Sequence, residues 1–245
     1  MTKVLFAGPS LHGLDGLPPG IERRPPAAQG DILAAVLQGA NVVGLVDGLF
    51  ETVAAVWHKE ILHALSQGVA VLGAASLGAL RAAECHEFGM VAVGEIARRY
   101  VEGELDDDAA VAQLHGPAEL GFVPLTEALV DCEAQVDALL AGGLLDRSEA
   151  ADLLRVARKT FFKDRTWRAI LERSDLGVSR QASLLDVVRR SRIGLKRIDA
   201  LLLVRALAAM PDERGELAAP WTLSETPSWK RSHARIVEAT RRGIP

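Results

Sequence analysis

Residues 69 to 84 read VAVLGAASLGALRAAE: a short apolar run, a small-residue corner centred on Ser76, then an alanine- and leucine-rich stretch carrying Arg81 and Glu84. A buried strand feeding a helix has this pattern, and it sets a hydroxyl at the turn. The first amides of a helix have no internal partners, so Ser76 and the amides of Leu77 and Gly78 are placed to hold an anion or an oxyanion. Ala74-Ala75-Ser76-Leu77-Gly78 is one residue type away from the G-x-S-x-G nucleophile elbow, with Ala74 where the first glycine would stand. The plain alternative is a serine that caps its own helix.

A serine nucleophile needs a base, and spacing favours His58 over the other five histidines. On a helix over 53–67, Val53, Trp57, Ile61 and Leu65 form the inward stripe and His58 lies on its flank, while Glu60 falls almost opposite His58 and cannot orient it. Asp47 is then the expected orienting carboxylate. A helix starting at Val53 would put His58 about 8 Å down its axis, an objection that a later start removes. The alternative for His58 is a flank histidine bonded to a backbone carbonyl. Arg81 and Glu84, three apart, suit a local ion pair; Arg81 also suits a bidentate grip on a carboxylate or thiocarboxylate.

The elements that would position these residues alternate. Apolar runs at 3–8, 41–46 and 69–74 predict strands, and 30–38 and 53–67 predict helices, the second closed by Gly68. Strand and helix in alternation imply a parallel sheet, and the nearly continuous apolar character of the strands implies cover on both faces. Ligands in such sheets bind beyond the carboxyl ends of the strands, where Ser10, Asp47 and Ser76 would share one edge. Gly8, Gly48, Gly73 and Gly78 would let backbone approach a ligand there. Ile21 to Arg24 could add a short edge strand beside the proline-rich 16–29, and 102–108 reads as an acidic solvated loop. From 126 onward the periodicity is helical, at 126–141, 147–161, 165–173, 180–191 and 194–210, followed by a weakly periodic tail with Trp221, Trp229 and a basic end. The fold expected is α/β, with an open, mainly parallel Rossmann-like sheet over 1–125 and a helical region over 126–245.

Composition narrows the function. The 245 residues carry a net charge of −4 and are 49% hydrophobic, which suits a self-folding chain and argues against nucleic acid as the main partner. No apolar run reaches the ~18 residues of a membrane span or forms a signal-peptide core, so a cytoplasmic protein is expected, away from membranes. Cys85 and Cys132 form no CxxC pair and read as small core residues, so no metal is expected. GxGxxG and GxxxxGK[ST] are absent, so neither a dinucleotide nor a nucleotide phosphate loop is supported, and no cofactor is expected.

The ordered motifs Gly8-Pro9-Ser10-Leu11, Pro25-Pro26-Ala27 with Gly30-Asp31, Asp47-Gly48 with Phe50, Val56 to Leu62, and Gly73 to Glu84 followed by Phe88-Gly89-Met90 resemble the TfuA-like proteins over roughly residues 3 to 130. Leu77 stands where methionine would be expected. The resemblance implies an accessory role beside a YcaO enzyme in peptide-backbone thioamidation, with ATP and metal on the YcaO partner. It implies hydrolysis of the C-terminal thiocarboxylate of a ThiS-type sulfur carrier to supply sulfide. On that substrate Ser76 would attack the thioacid carbon, His58 would act as base, Asp47 would orient it, and Leu77 and Gly78 would hold the oxyanion. Ser10, Gly8, Gly48, Arg81 and Glu84 would line the binding site. The alternative is a non-catalytic docking or allosteric partner of the YcaO that binds the carrier tail. Oligomeric state and the acceptor peptide stay open.

Overall fold

Apolar four-residue runs become the middle of the molecule because every residue in them faces protein. A computed structural model describes residues 3–51, 53–215 and 221–242. Strands β1 (Lys3–Phe6), β2 (Ile21–Arg24), β3 (Val42–Leu45), β4 (Ala70–Gly73) and β5 (Val91–Ala92) form one sheet in the order β2-β1-β3-β4-β5. All four pairings are parallel, with Phe6 beside Leu45 and Leu45 beside Gly73. Every residue of β1 and β3 is buried, which is why these strands read as unbroken apolar runs. The expected α/β fold is present, and Ile21 to Arg24 is the edge strand. β5 adds two exposed residues that carry no strand pattern.

Alternate strand residues feed two apolar layers. Val4, Phe6, Val43, Leu45 and Val71 pack with Ile32 and Val36 of α1 (Asp31–Leu37), Ile61 of α2 (His58–Ser66) and Leu77 of α3 (Leu77–Cys85). Leu5, Val42, Val46 and Leu72 pack instead with Ala200, Leu203 and Leu207 of α9 (Leu195–Ala209). Gly44 admits that helix: a Cβ there would lie 2.8 Å from Leu203 Cδ2. A helix from late in the chain thus covers the sheet face that the earlier helices leave bare. The chain accordingly divides into 1–105 with 198–245, and 106–197, so the helical region expected over 126–245 is shared between two units.

The tail also belongs to the first unit. α10 (Pro227–Arg241) buries Trp229 to 2% exposure, edge-on to Trp57 at 6.1 Å and tilted against His63 at 5.5 Å. Thr226 caps it by accepting from the Trp229 amide. Earlier in the chain, the Gly215 amide donates to Gly68 O at 2.8 Å. α4 (Gly94–Val101) completes this unit, its Glu95 and Ile96 amides held by the buried carboxylate of Asp199.

In the second unit α5 (Leu129–Ala141), α6 (Arg147–Lys159), α7 (Trp167–Glu172) and α8 (Val178–Arg190) fall within a few residues of the predicted helices. They close on a core that includes Cys132, Val136, Leu153, Trp167, Ile170 and Leu184. Asp146 and Glu149 cap α6 reciprocally. Both cysteines are buried core residues whose thiols burial pushes upward, Cys85 to about 11. Among the described residues no helix is long and apolar enough to cross a membrane.

Candidate functional site

Asp47 follows β3 and is the best-anchored side chain on the strand-end edge. It is 2% exposed, and its carboxylate accepts from the Gly8 amide at 2.8 Å, the Ser10 amide at 3.0 Å and the Ser10 hydroxyl at 2.7 Å. β1 runs straight into these donors because Pro9 starts a single 3-10 turn over 9–11 and points the flanking amides at the carboxylate. Arg23 of β2 braces the same loop from the other side, donating to Gly8 O and Leu11 O at 3.3 Å each. Ser10, Gly8 and Asp47 therefore meet as one buried knot. Asp47 makes no hydrogen bond to His58, so the expected orienting role is not the one its geometry performs.

Ser76 follows β4, the sheet neighbour of β3, and its surroundings are the reverse. The chain leaves the strand through Ala75 at φ 66°, a left-handed backbone on a residue with a Cβ, and the Ser76 amide folds back onto Ala74 O at 2.8 Å. Such a three-residue turn is strained and persists only where its surroundings dictate it. Ser76 is 6% exposed, yet its hydroxyl has no hydrogen-bond partner among the described residues and does not cap α3. The simple-cap alternative is thereby excluded. The Leu77 amide, first of α3, also has no partner among the described residues, whereas the Gly78 amide is taken by Val46 O at 3.2 Å. Of the two expected oxyanion donors, one remains.

The glycines around this corner serve packing. A Cβ on Gly78 would sit 1.8 Å from Leu45 O, one on Gly73 2.1 Å from Gly78 O, and one on Gly48 2.0 Å from a Leu77 methyl. They let α3 press onto β3 and β4. The close approach expected for a ligand is made by the chain's own backbone.

His58 is the first residue of α2, five residues later than the predicted start, because 53–57 is not helical and Val53 is exposed outside the helix. The later start does not bring the imidazole to Ser76. His58 Nε2 pairs with Glu84 Oε2 at 2.8 Å, and Arg81 Nη1 donates to the same oxygen at 2.6 Å while Arg81 Nε donates to Val56 O at 2.9 Å. Burial would raise the Glu84 carboxyl, but His58 and Arg81 hold it below the usual carboxylate range. Glu84 lies eight residues beyond Ser76, about 12 Å along the helix axis at 1.5 Å per residue. The local Arg81–Glu84 pair is present and recruits His58, so together these residues fasten the 53–58 segment to α3.

Glu84 as the partner of His58 carried no sequence signal, since it depends on how two helices meet. Glu60 is a second such residue: 1% exposed, it accepts from the Gly30 amide at 2.8 Å, the Trp57 amide at 3.2 Å and the Leu33 amide at 3.4 Å. Tryptophan at the N-cap gives no capping signature in the sequence, and the link to α1 depends on how two helices meet. Burial pushes Glu60 up to about 7 against the three amides. Among the described residues no group of three His, Cys, Asp or Glu side chains is set to hold a metal.

A family model described as TfuA-like protein matches residues 47–166. The match takes in Asp47, His58, the Ser76 corner, Arg81 and Glu84, and it starts and ends later in the chain than the motifs that first suggested the resemblance. No curated protein matches the chain.

Proposed function

Because this chain belongs to the TfuA-like family over residues 47–166, we propose that it is an accessory protein of YcaO-dependent peptide-backbone thioamidation, hydrolysing a thiocarboxylated ThiS-type carrier to supply sulfide. The observation that carries this reading is the Ser76 hydroxyl: buried, without a partner, and set at a strained corner beside the unpaired Leu77 amide. A buried hydroxyl that forgoes its hydrogen bond costs about 1–3 kcal/mol, and a substrate carbonyl supplies the missing partner.

Ser76 Oγ attacks the thioacid carbon, the Oγ–C bond forms, the C–S bond breaks, and the serine proton departs with the sulfur as HS⁻. Water then cleaves the acyl-serine, releasing the carrier's carboxylate and a proton. The thiocarboxylate sulfur itself takes up the serine proton and leaves as HS⁻, so no separate general acid is required. The Leu77 amide faces the developing oxyanion, and the Asp47 knot keeps the neighbouring strand end rigid. The Ser76→Ala protein should release sulfide from a thiocarboxylated carrier at least about a hundredfold more slowly than wild type. Undiminished release would remove Ser76 as nucleophile.

The fastening of His58 to Glu84 favours a second reading, in which the corner grips the carrier tail and the protein acts by docking on the YcaO. Stimulation of the YcaO that survives both Ser76→Ala and His58→Ala selects it.

A further inference from the structure

α10 divides its residues sharply by side. At about 100° per residue, Trp229, His233, Ile236, Val237 and Thr240 share one face, which lies against the first unit: Trp229 on Trp57 and His63, and Ile236 within reach of Gly30 at the start of α1. The opposite face carries Arg231, Arg235 and Arg242, with Lys230 and Arg241 on its flank, all exposed, against the single acid Glu238. Lys230 pairs with Glu225 and Arg242 with Glu238, but among the described residues Arg235 and Arg241 have no partner and Arg231 donates only to the Ser228 hydroxyl. This basic stripe stands on a chain whose net charge is −4.

We propose that the outward face of α10 is a docking surface for a protein that presents an acidic patch. Charge complementarity identifies the occupant. A helix that inserts into a membrane surface uses its apolar face, and on α10 that face is already covered by α1 and α2. A nucleic-acid duplex is long and stiff and would run past the stripe onto the rest of a chain whose net charge is −4, whereas a short acidic segment of a protein engages the stripe alone. The inference rests on charge and packing and stands whether or not Ser76 is a nucleophile.

The test uses the full chain and three probes: a fluorescent decaglutamate peptide, a DNA duplex of the same charge, and phosphatidylserine vesicles. The peptide should bind most tightly and weaken with salt, and R231E/R235E/R241E should bind it at least about tenfold more weakly. The neutral R231Q/R235Q/R241Q should fall between, with unchanged circular dichroism to show that α10 is intact. R155E/R158E/R189E, on the second unit, should bind as wild type. Equal loss in that control, or tighter binding of duplex or vesicles than of peptide, overturns the proposal.

Discussion

Asp47 and Ser76 occupy equivalent places, each just past the end of one of two neighbouring parallel strands, and their surroundings are opposite. Asp47 spends its carboxylate on two amides and a hydroxyl, all from the loop after β1. Ser76 is nearly as buried and bonds to nothing through its side chain. Satisfied and unsatisfied polar groups at matched depth differ in consequence: the first hold the edge together, and the second leave hydrogen-bonding capacity unused.

Asp47→Ala should break that contrast most visibly. It leaves three buried donors without an acceptor and should cost about 4 kcal/mol of stability, read by denaturant unfolding. Ser76→Ala removes a buried hydroxyl that has no partner, so stability should rise by about 1–3 kcal/mol while sulfide release collapses. A large stability loss in Ser76→Ala would mean that the hydroxyl is structural after all.

Glu60 gives the next largest effect and a pH signature. Its folded pKa of about 7 lies above its ordinary 4.5, so between these values the folded chain holds a proton that the unfolded chain has released. Stability from this group is therefore fully present below 4.5 and is lost as pH rises through 7, by about 3 kcal/mol in all. Glu60→Gln should remove that slope. A wild-type stability that instead rises from pH 5 to 8 would show that the three amides outweigh burial.

The contrast between Asp47 and Ser76 also marks what the sequence discloses. Strand positions, the helix after Ser76 and the shared strand-end edge were legible, because apolar runs and small-residue corners are local signals. Even the weak edge strand at Ile21 to Arg24 was readable from its flanking prolines. Pairings were not. Asp47 is the natural partner for His58 in the sequence because it ends the strand that precedes the His58 helix, yet the Ser10 amide and hydroxyl reach it first, a matter of how the 9–11 turn folds back. His58 meets Glu84 because α2 crosses α3 near its end, an angle no periodicity encodes. The return of α9 to the sheet was hidden for the same reason: its apolar faces fit a helical bundle as well as the sheet they cover.

Ala75 sharpens the comparison at smaller scale. Its positive φ of 66° is the strain that turns Ser76 at the corner. Glycine tolerates that conformation, so Ala75→Gly should leave stability unchanged or raise it by up to about 1 kcal/mol, against the usual penalty for glycine. If strain sets the hydroxyl for attack, the same variant loses sulfide release as the corner relaxes; release that tracks stability upward would separate strain from function.

The smallest effect decides the most about His58. Its bond to Glu84 joins two side chains that are 42% and 43% exposed, so Glu84→Gln should cost no more than about 0.5 kcal/mol once solvent screening is counted. Its value lies in activity. If His58 only fastens the 53–58 segment, Glu84→Gln and His58→Ala should lower sulfide release equally and by a few-fold at most, with the same pH profile as wild type. If His58 swings to Ser76 when a carrier tail binds, loss of Glu84 frees the imidazole, and Glu84→Gln should release sulfide faster than wild type while His58→Ala fails. The two side chains that fasten α2 to α3 would then be a restraint on the chemistry at Ser76, and the sign of one exposed substitution tells the two roles apart.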